Sequence, residues 1–273
     1  MKEENAPSWE KFETILHRIE GMRQKTHEQS ALIVSDLLYR GQADSRWRLE
    51  TTLERSVSKP VSASGYYELI AQAKARIETF TDKSWRIPTF EEYLEWLQSD
   101  PDPPLHYDAY EYFIYLRHHG FPSPLLDWTA SPYVAAFFAM DKPARDVQSV
   151  SVYVFLEDIG RGKIIKPRKP TIFGLDSNIR SHRRHFLQQS RYTICTAMTA
   201  DSLGYTKHED VAAREASGQD YLWKINIPIL ARVEFLKKLH KMNINSFSLF
   251  ATEDSLIATL AADTFLLNPK PKG

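Results

Sequence analysis

The chain has 273 residues, of which 42% are hydrophobic and 26% charged, and its Lys+Arg and Asp+Glu counts are both 35. That length is enough for a sizeable core, and the balanced charge gives no global attraction to nucleic acid or to an anionic membrane. The single cysteine, Cys195, excludes an internal disulfide and favours a reducing, cytoplasmic compartment. No apolar run approaches the roughly 20 residues of a membrane span, and the polar N-terminus has no signal core, so we expect neither membrane insertion nor secretion.

Helical signals dominate the first half of the chain. Apolar residues at helical spacing predict helices over residues 8–25, 65–80, 89–98 and 107–118. Thr89 is a good N-cap for the third of these helices. The apolar segment that ends at Gly41 predicts a strand. Further on, Ser131 and Pro132 have the residue types favoured at an N-cap and at the first position of a helix, so we expect a helix from there.

Strand signals dominate the second half. Residues 149–158, 188–197 and 220–229 predict strands, residues 231–242 predict a helix, and residues 246–250 form a strand-like run before a helix capped by Thr252. Helices followed by strands indicate an α+β fold rather than regular β-α-β alternation. There is no phosphate-loop motif, and one cysteine cannot supply a structural zinc site, so we expect no metal.

The first polar cluster lies at the end of the strand predicted to finish at Gly41. It contains Arg40, Gln42 and Trp47. An arginine that leaves a strand just before a glycine is well placed to bind an anion with its planar guanidinium. The alternative is a local salt bridge. Trp47 is either a core residue or a surface on which a ligand ring stacks.

The second cluster, residues 118–132, places His118, His119, Asp127, Trp128 and Thr129 in what we interpret as a turn-rich stretch that opens a helix. Exposed amides at a helix N-terminus bind anions. Asp127 either tethers this turn by pairing with Arg40 or a backbone amide, or serves a ligand. His119 is either a hydrogen-bonded scaffold residue or an acid or base.

The third cluster precedes the strand predicted at 188–197 and contains Arg183, Arg184, Gln188 and Gln189. It is either a solvated basic turn or a second set of contacts to an anion or amide. Together the clusters indicate a pocket with arginines, glutamines, aromatic rings and a helix N-terminus. Such a pocket suits a phosphate-bearing, aromatic ligand, that is, a nucleotide or dinucleotide.

These residues carry a resemblance to a known family. The segments YRGQADSRWRLETTLER and HHGFPSPLLDWTASPYVAAFFA resemble the FRG domain, which is named for an aromatic-Arg-Gly motif, here Tyr39-Arg40-Gly41. The Leu-Leu-Asp-Trp-Thr block, residues 125–129, is the specific part of the match; Ser123 stands where the family usually has Thr. The resemblance covers roughly residues 27–262, and its C-terminal part is the weak one. FRG domains occur in bacterial and phage-related proteins, and their biochemical role is poorly defined.

A more distant likeness is to the ADP-ribosyltransferases, whose first-strand Arg meets NAD, whose second motif braces the ribose and whose late-strand Glu supports transfer. This resemblance implies that Arg40 takes the first role, that residues 127–129 take the second, and that Gln188 or Gln189 lies where the Glu is expected. A neutral Gln stabilises a cationic transition state much less than a Glu does. Either Asp127 supplies the negative charge, or the domain binds without transferring.

The resemblances imply a single-domain α+β fold with a helix-rich N-terminal half around a mixed or antiparallel split sheet, similar to the ADP-ribosyltransferase fold. We expect an N-terminal helix at 1–26, an FRG-like domain at 27–265 and a tail at 266–273. The implied function is an NAD-site enzyme that transfers ADP-ribose to a protein or nucleic-acid acceptor or cleaves NAD, as a toxin or phage-defence effector.

The implied catalytic and ligand-binding residues follow from this mapping. Arg40, Asp127 and Gln188 would be catalytic; the ligand-binding residues would be Gly41, Gln42, Trp47, His119, Trp128, Thr129 and Arg184. The alternatives are a non-catalytic module that binds a nucleotide or nucleic acid, and a scaffold whose motif residues only brace turns.

Overall fold

The computed structural model describes residues 1–29, 34–99, 105–158, 163, 169–175, 183–198, 202–212 and 219–268. The helices are α1 (Trp9–Gln29), α2 (Thr52–Ser56), α3 (Ala63–Thr81), α4 (Phe90–Gln98), α5 (Tyr107–His118), α6 (Pro132–Asp141), α7 (Arg183–Leu187), α8 (His208–Ala212), α9 (Arg232–Lys241), α10 (Ser246–Phe250) and α11 (Glu253–Ala262). The strands are β1 (Lys2–Asn5), β2 (Leu38–Gln42), β3 (Leu125–Thr129), β4 (Ser149–Asp158), β5 (Thr171–Leu175), β6 (Ser190–Met198), β7 (Leu203–Tyr205) and β8 (Gln219–Pro228). The α+β class is therefore confirmed. None of the described helices is both long and apolar enough to cross a bilayer.

The strands form one mixed sheet in the order β1-β8-β4-β2-β3-β6-β5, with β7 also paired to β6. Only β1 pairs in parallel, with β8, and the other described ladders are antiparallel. Strand β2 pairs with β4 over its whole length, and β3 does the same with β6. Between β2 and β3, however, the register contains a single residue pair, Tyr39 and Thr129. The sheet is therefore continuous but nearly parted at its centre.

Three apolar clusters bury the two faces of this sheet. One lies between the β1-β8-β4-β2 half and helices α1, α6 and α9, and a second between β3, β5 and β6 and helices α3 and α5. The third covers the remaining face and includes Leu126, Trp128, Tyr153 and Cys195, which is a core residue as its apolar setting indicates. In β3, Leu126 and Trp128 pack into the third cluster and Leu125 into the second, while Asp127 and Thr129 bring polar groups to the same face as Leu125.

Helix α6 packs unusually close to β2. A Cβ atom on Gly41 would lie 2.0 Å from the carbonyl oxygen of Ala135 and 2.6 Å from the backbone nitrogen of Ala139. Only glycine fits here, because the main chain of the helix occupies the space that any side chain would need. The alanines of α6 and the glycine of β2 thus form one tight helix-on-strand contact, which lies directly beside Arg40.

Two local predictions were wrong. Residues 125–129 are strand β3 rather than part of a turn that opens a helix, although Ser131 caps α6 and Pro132 begins it as predicted. Residues 246–250 are helix α10, because Asn245 and Ser248 form a reciprocal capping box that starts a helix. The loop expected around residues 99–105 lies largely outside the described residues.

Candidate functional site

A cleft of about 260 Å³ opens where β2 and β3 part. It is lined by Tyr39, Arg40, Gly41, His118, Asp127, Trp128, Thr129, Phe138, Gln188, Ser190 and Tyr192. The separation of the strands creates the cleft, since after the Tyr39–Thr129 pair the two strand edges no longer bond to each other. Residues that are far apart in sequence therefore meet at a gap in the sheet.

Arg40 lies at this gap and replaces a missing ladder bond. Its Nη1 donates to the main-chain oxygen of Asp127 at 2.6 Å. Its Nε is shielded from water and has no hydrogen-bond partner among the described residues. No described carboxylate oxygen lies within 4.0 Å of the guanidinium. Removal from water lowers the pKa of Arg40 to about 10, and the opposing effect of Asp127 does not cancel this shift. Arg40 is thus a largely buried cation with no carboxylate of the described residues at salt-bridge distance.

The carboxylate of Asp127 is held by Arg117, a residue that the sequence did not single out. The Nε of Arg117 donates to Oδ1 of Asp127 at 3.2 Å, and its Nη2 contacts Oδ2. This two-point geometry is the preferred way in which a guanidinium binds a carboxylate. The side chain of Asp127 is 37% exposed and that of Arg117 is 16% exposed. The prediction that Asp127 pairs with Arg40 or a backbone amide was therefore wrong about the carboxylate: Arg40 binds only the main chain.

Gln188 and Thr129 fix the opposite wall of the cleft. The hydroxyl of Thr129 donates to the main-chain oxygen of Gln188 at 2.7 Å. The side-chain amide of Gln188 donates to the oxygen of Leu249 at 3.1 Å, which ties this wall to α10. Gln188 thus lies in the cleft with Arg40 and Asp127, as predicted, but its amide nitrogen is engaged by the protein itself.

Tyr192 and His118 line the cleft and were not among the predicted site residues. Nε2 of His118 shares a hydrogen bond of 2.9 Å with the hydroxyl of Tyr192, and burial raises the pKa of that hydroxyl. The predicted His119 instead lies outside the lining, with its ring 4.3 Å from that of Tyr115. Burial, and then the charge of Lys83, lowers the pKa of His119. Helical periodicity offered a signal for this difference, because His118 follows the fully buried Ile114 by one turn.

Trp128 reaches from the cleft into the core. Its indole Nε1 donates to the hydroxyl of Thr193 at 2.8 Å, and that hydroxyl also bonds to Nε2 of His208 at 2.9 Å. His208 is buried, and loss of solvation, reinforced by the charge of Arg40, lowers its pKa to about 3. The imidazole is therefore neutral and fixes the hydroxyl that orients Trp128.

The remaining predicted residues lie outside the cleft lining. Gln42 is buried and donates to the oxygen of Arg48 at 3.0 Å. Trp47 is 52% exposed, which fits neither a core residue nor a wall of this cleft. Arg184 lies over the ring of Phe250 at 5.5 Å. The structure thus brings together Arg40, Gly41, Asp127, Trp128, Thr129 and Gln188 and leaves Gln42, Trp47, His119 and Arg184 apart from them.

Comparison with known proteins agrees with the motif resemblance. Residues 35–148 match the family model described as the FRG domain. The matched residues include β2, β3 and α6. They therefore include both the Arg-Gly motif and the Leu-Leu-Asp-Trp-Thr motif, which line the cleft. No curated protein and no solved structure matches the chain, so the resemblance to the ADP-ribosyltransferase fold stays a prediction. Residues 35–148 are thus similar to the FRG domain, and the cleft lies between the two strands that carry the Arg-Gly and Leu-Leu-Asp-Trp-Thr motifs.

Proposed function

We propose that the cleft binds a phosphate-bearing nucleotide, with an NAD-type dinucleotide as the leading candidate. The observation that supports this proposal is the largely buried charge of Arg40, which has no carboxylate within salt-bridge distance among the described residues. A cation removed from water without a partner is costly, and proteins normally pair such a charge. An anionic ligand would complete the pair, and a guanidinium matches the geometry of a phosphate.

The shape of the cleft agrees with part of a dinucleotide. Its volume of about 260 Å³ lies just under the roughly 300–1,000 Å³ typical of small-molecule pockets. Aromatic rings at Tyr39, Trp128, Phe138 and Tyr192 line it beside the charged groups. An aromatic base or a nicotinamide ring with a ribose and one phosphate fits this combination, and the remainder of the ligand would extend toward solvent.

A second candidate function is cleavage of NAD or transfer of ADP-ribose to a protein or nucleic-acid acceptor. The meeting of Arg40, Asp127 and Gln188 in one cleft favours it. Two features oppose it. The ion pair with Arg117 neutralises the carboxylate of Asp127. Gln188 carries no charge that could stabilise a developing cation. We therefore place binding first. A role as toxin or phage-defence effector depends on the second candidate.

The proposal is tested by titration calorimetry of the purified chain with ADP-ribose and with NAD, and by following nicotinamide release. We expect binding of ADP-ribose that is abolished in Arg40→Met and unchanged in Arg145→Met, whose side chain is 96% exposed and lies outside the cleft. Binding without nicotinamide release supports the binding module. Release that disappears in Arg40→Met and in Asp127→Ala supports the enzyme. If the chain binds neither ADP-ribose nor NAD, the proposal is refuted.

A further inference from the structure

We propose that Arg117 is a positioning residue that sets the charge preference of the cleft by holding the carboxylate of Asp127 away from Arg40. This inference deepens the proposed function and rests on it. Two arginines contact different parts of Asp127. Arg117, in the last turn of α5, takes both oxygens of the carboxylate, and Arg40, on β2, takes only the main-chain oxygen.

The carboxylate of Asp127 is the natural competitor of an anionic ligand. It belongs to the residue whose carbonyl lies 2.6 Å from Nη1 of Arg40, and it interacts electrostatically with that guanidinium. Its side chain is the more exposed member of the ion pair, at 37% against 16% for Arg117, and Asp127 also lines the cleft. Were it to pair with Arg40, the site would neutralise itself and a phosphate would have no free cation to bind.

Arg117 prevents this rearrangement by the better geometry. Arg117 donates hydrogen bonds to both carboxylate oxygens at once. In Arg40, by contrast, Nη1 already donates to the main-chain oxygen of Asp127. Arg117 itself does not line the cleft, so it makes no direct contact with a ligand there, although its charge adds to the effect of burial in lowering the pKa of Arg40. The pair therefore keeps the positive charge of Arg40 available, and the cleft selects anions.

The test combines a charge removal with a rescue. In Arg117→Met the freed carboxylate turns to Arg40, and the affinity for ADP-ribose in calorimetry falls by about tenfold or more. Adding Asp127→Asn removes the competitor, so Arg117→Met/Asp127→Asn regains affinity to within a few-fold of wild type. Arg117→Lys keeps the cation and retains most of the affinity. If Arg117 only supported the fold, the double variant would bind no better than the single variant, and that result would overturn the inference.

A ligand-independent measurement separates this inference from the proposed function. The crystal structure of Arg117→Met should place the carboxylate of Asp127 within salt-bridge distance of the Arg40 guanidinium. A carboxylate that stays where it lies in wild type, or turns to solvent, overturns the inference even if the cleft binds ADP-ribose. If wild type binds neither ADP-ribose nor NAD, the proposed function is refuted instead, and the structure of the variant still decides the role of Arg117.

Discussion

Replacing Gly41 with alanine tests whether the Arg-Gly motif is first a packing motif. The added Cβ would lie 2.0 Å from the oxygen of Ala135, and ordinary contact begins at about 3.4 Å, so α6 must move off β2 by more than 1 Å. The obstacle is helix main chain, which cannot rotate away as a side chain can. Overpacking of this kind typically costs about 1–3 kcal/mol and occasionally more. Since backbone atoms are involved, we expect Gly41→Ala to lose about 3 kcal/mol of the free energy of unfolding in urea titrations.

The matched control is Gly21→Ala in the middle of α1. A Cβ at Gly21 meets no atom within 4 Å, so the substitution only removes the entropic penalty of glycine in a helix. We expect Gly21→Ala to raise the free energy of unfolding by about 0.5–1 kcal/mol. If Gly41→Ala were within 1 kcal/mol of wild type, the close approach of α6 to β2 would be wrong, and with it the packing that places Arg40 in the cleft.

Two further predictions concern His208 and Trp47. His208 is neutral when folded because its pKa lies near 3, whereas a histidine in the unfolded chain takes up a proton near pH 6.5. The neutral His208 therefore contributes to stability above about pH 6.5, and this contribution is lost as the pH falls toward 3. The loss in the free energy of unfolding reaches about 2 kcal/mol at pH 5. Urea unfolding at pH 7.5 and pH 5 should show a loss of stability that is smaller by about 2 kcal/mol in His208→Gln than in wild type; an unchanged pH dependence would contradict the neutral, buried imidazole. Trp47→Ala removes a half-exposed ring outside the cleft, so calorimetry should show ADP-ribose affinity within about twofold of wild type, and a tenfold loss would bring Trp47 back into the site.

The helices were predictable because their signals are local. Thr89 and Ser131 cap their helices through side-chain contacts three residues away, and Trp9 and Phe12 lie on the buried stripe that the spacing indicates. Strand β3 was missed because the adjacent Leu125 and Leu126 are both buried, on opposite faces, so its five residues do not show the alternation that marks a half-buried strand. The polar strand β1 was missed because it lies at the sheet edge, where composition carries no strand signal.

The candidate site was predictable only in part. Arg40, Asp127 and Gln188 could be named in advance because the motif resemblance marked them, and they do share one cleft. Which partner Asp127 takes depends on how α5 lies against β3, a tertiary contact that no local pattern encodes. For the same reason Arg117 went unnoticed, although it contacts Asp127 from only ten residues away in sequence.

A crystal structure of the chain with ADP-ribose tests the central claim most directly. We expect a phosphate oxygen of the ligand within hydrogen-bond distance of the Arg40 guanidinium, an aromatic or ribose group against the rings that line the cleft, and the carboxylate of Asp127 still on Arg117. A ligand bound elsewhere would contradict the proposal that Arg40 binds the anionic group of a ligand. So would an Arg40 that still contacts only the main-chain oxygen of Asp127 when the ligand is bound.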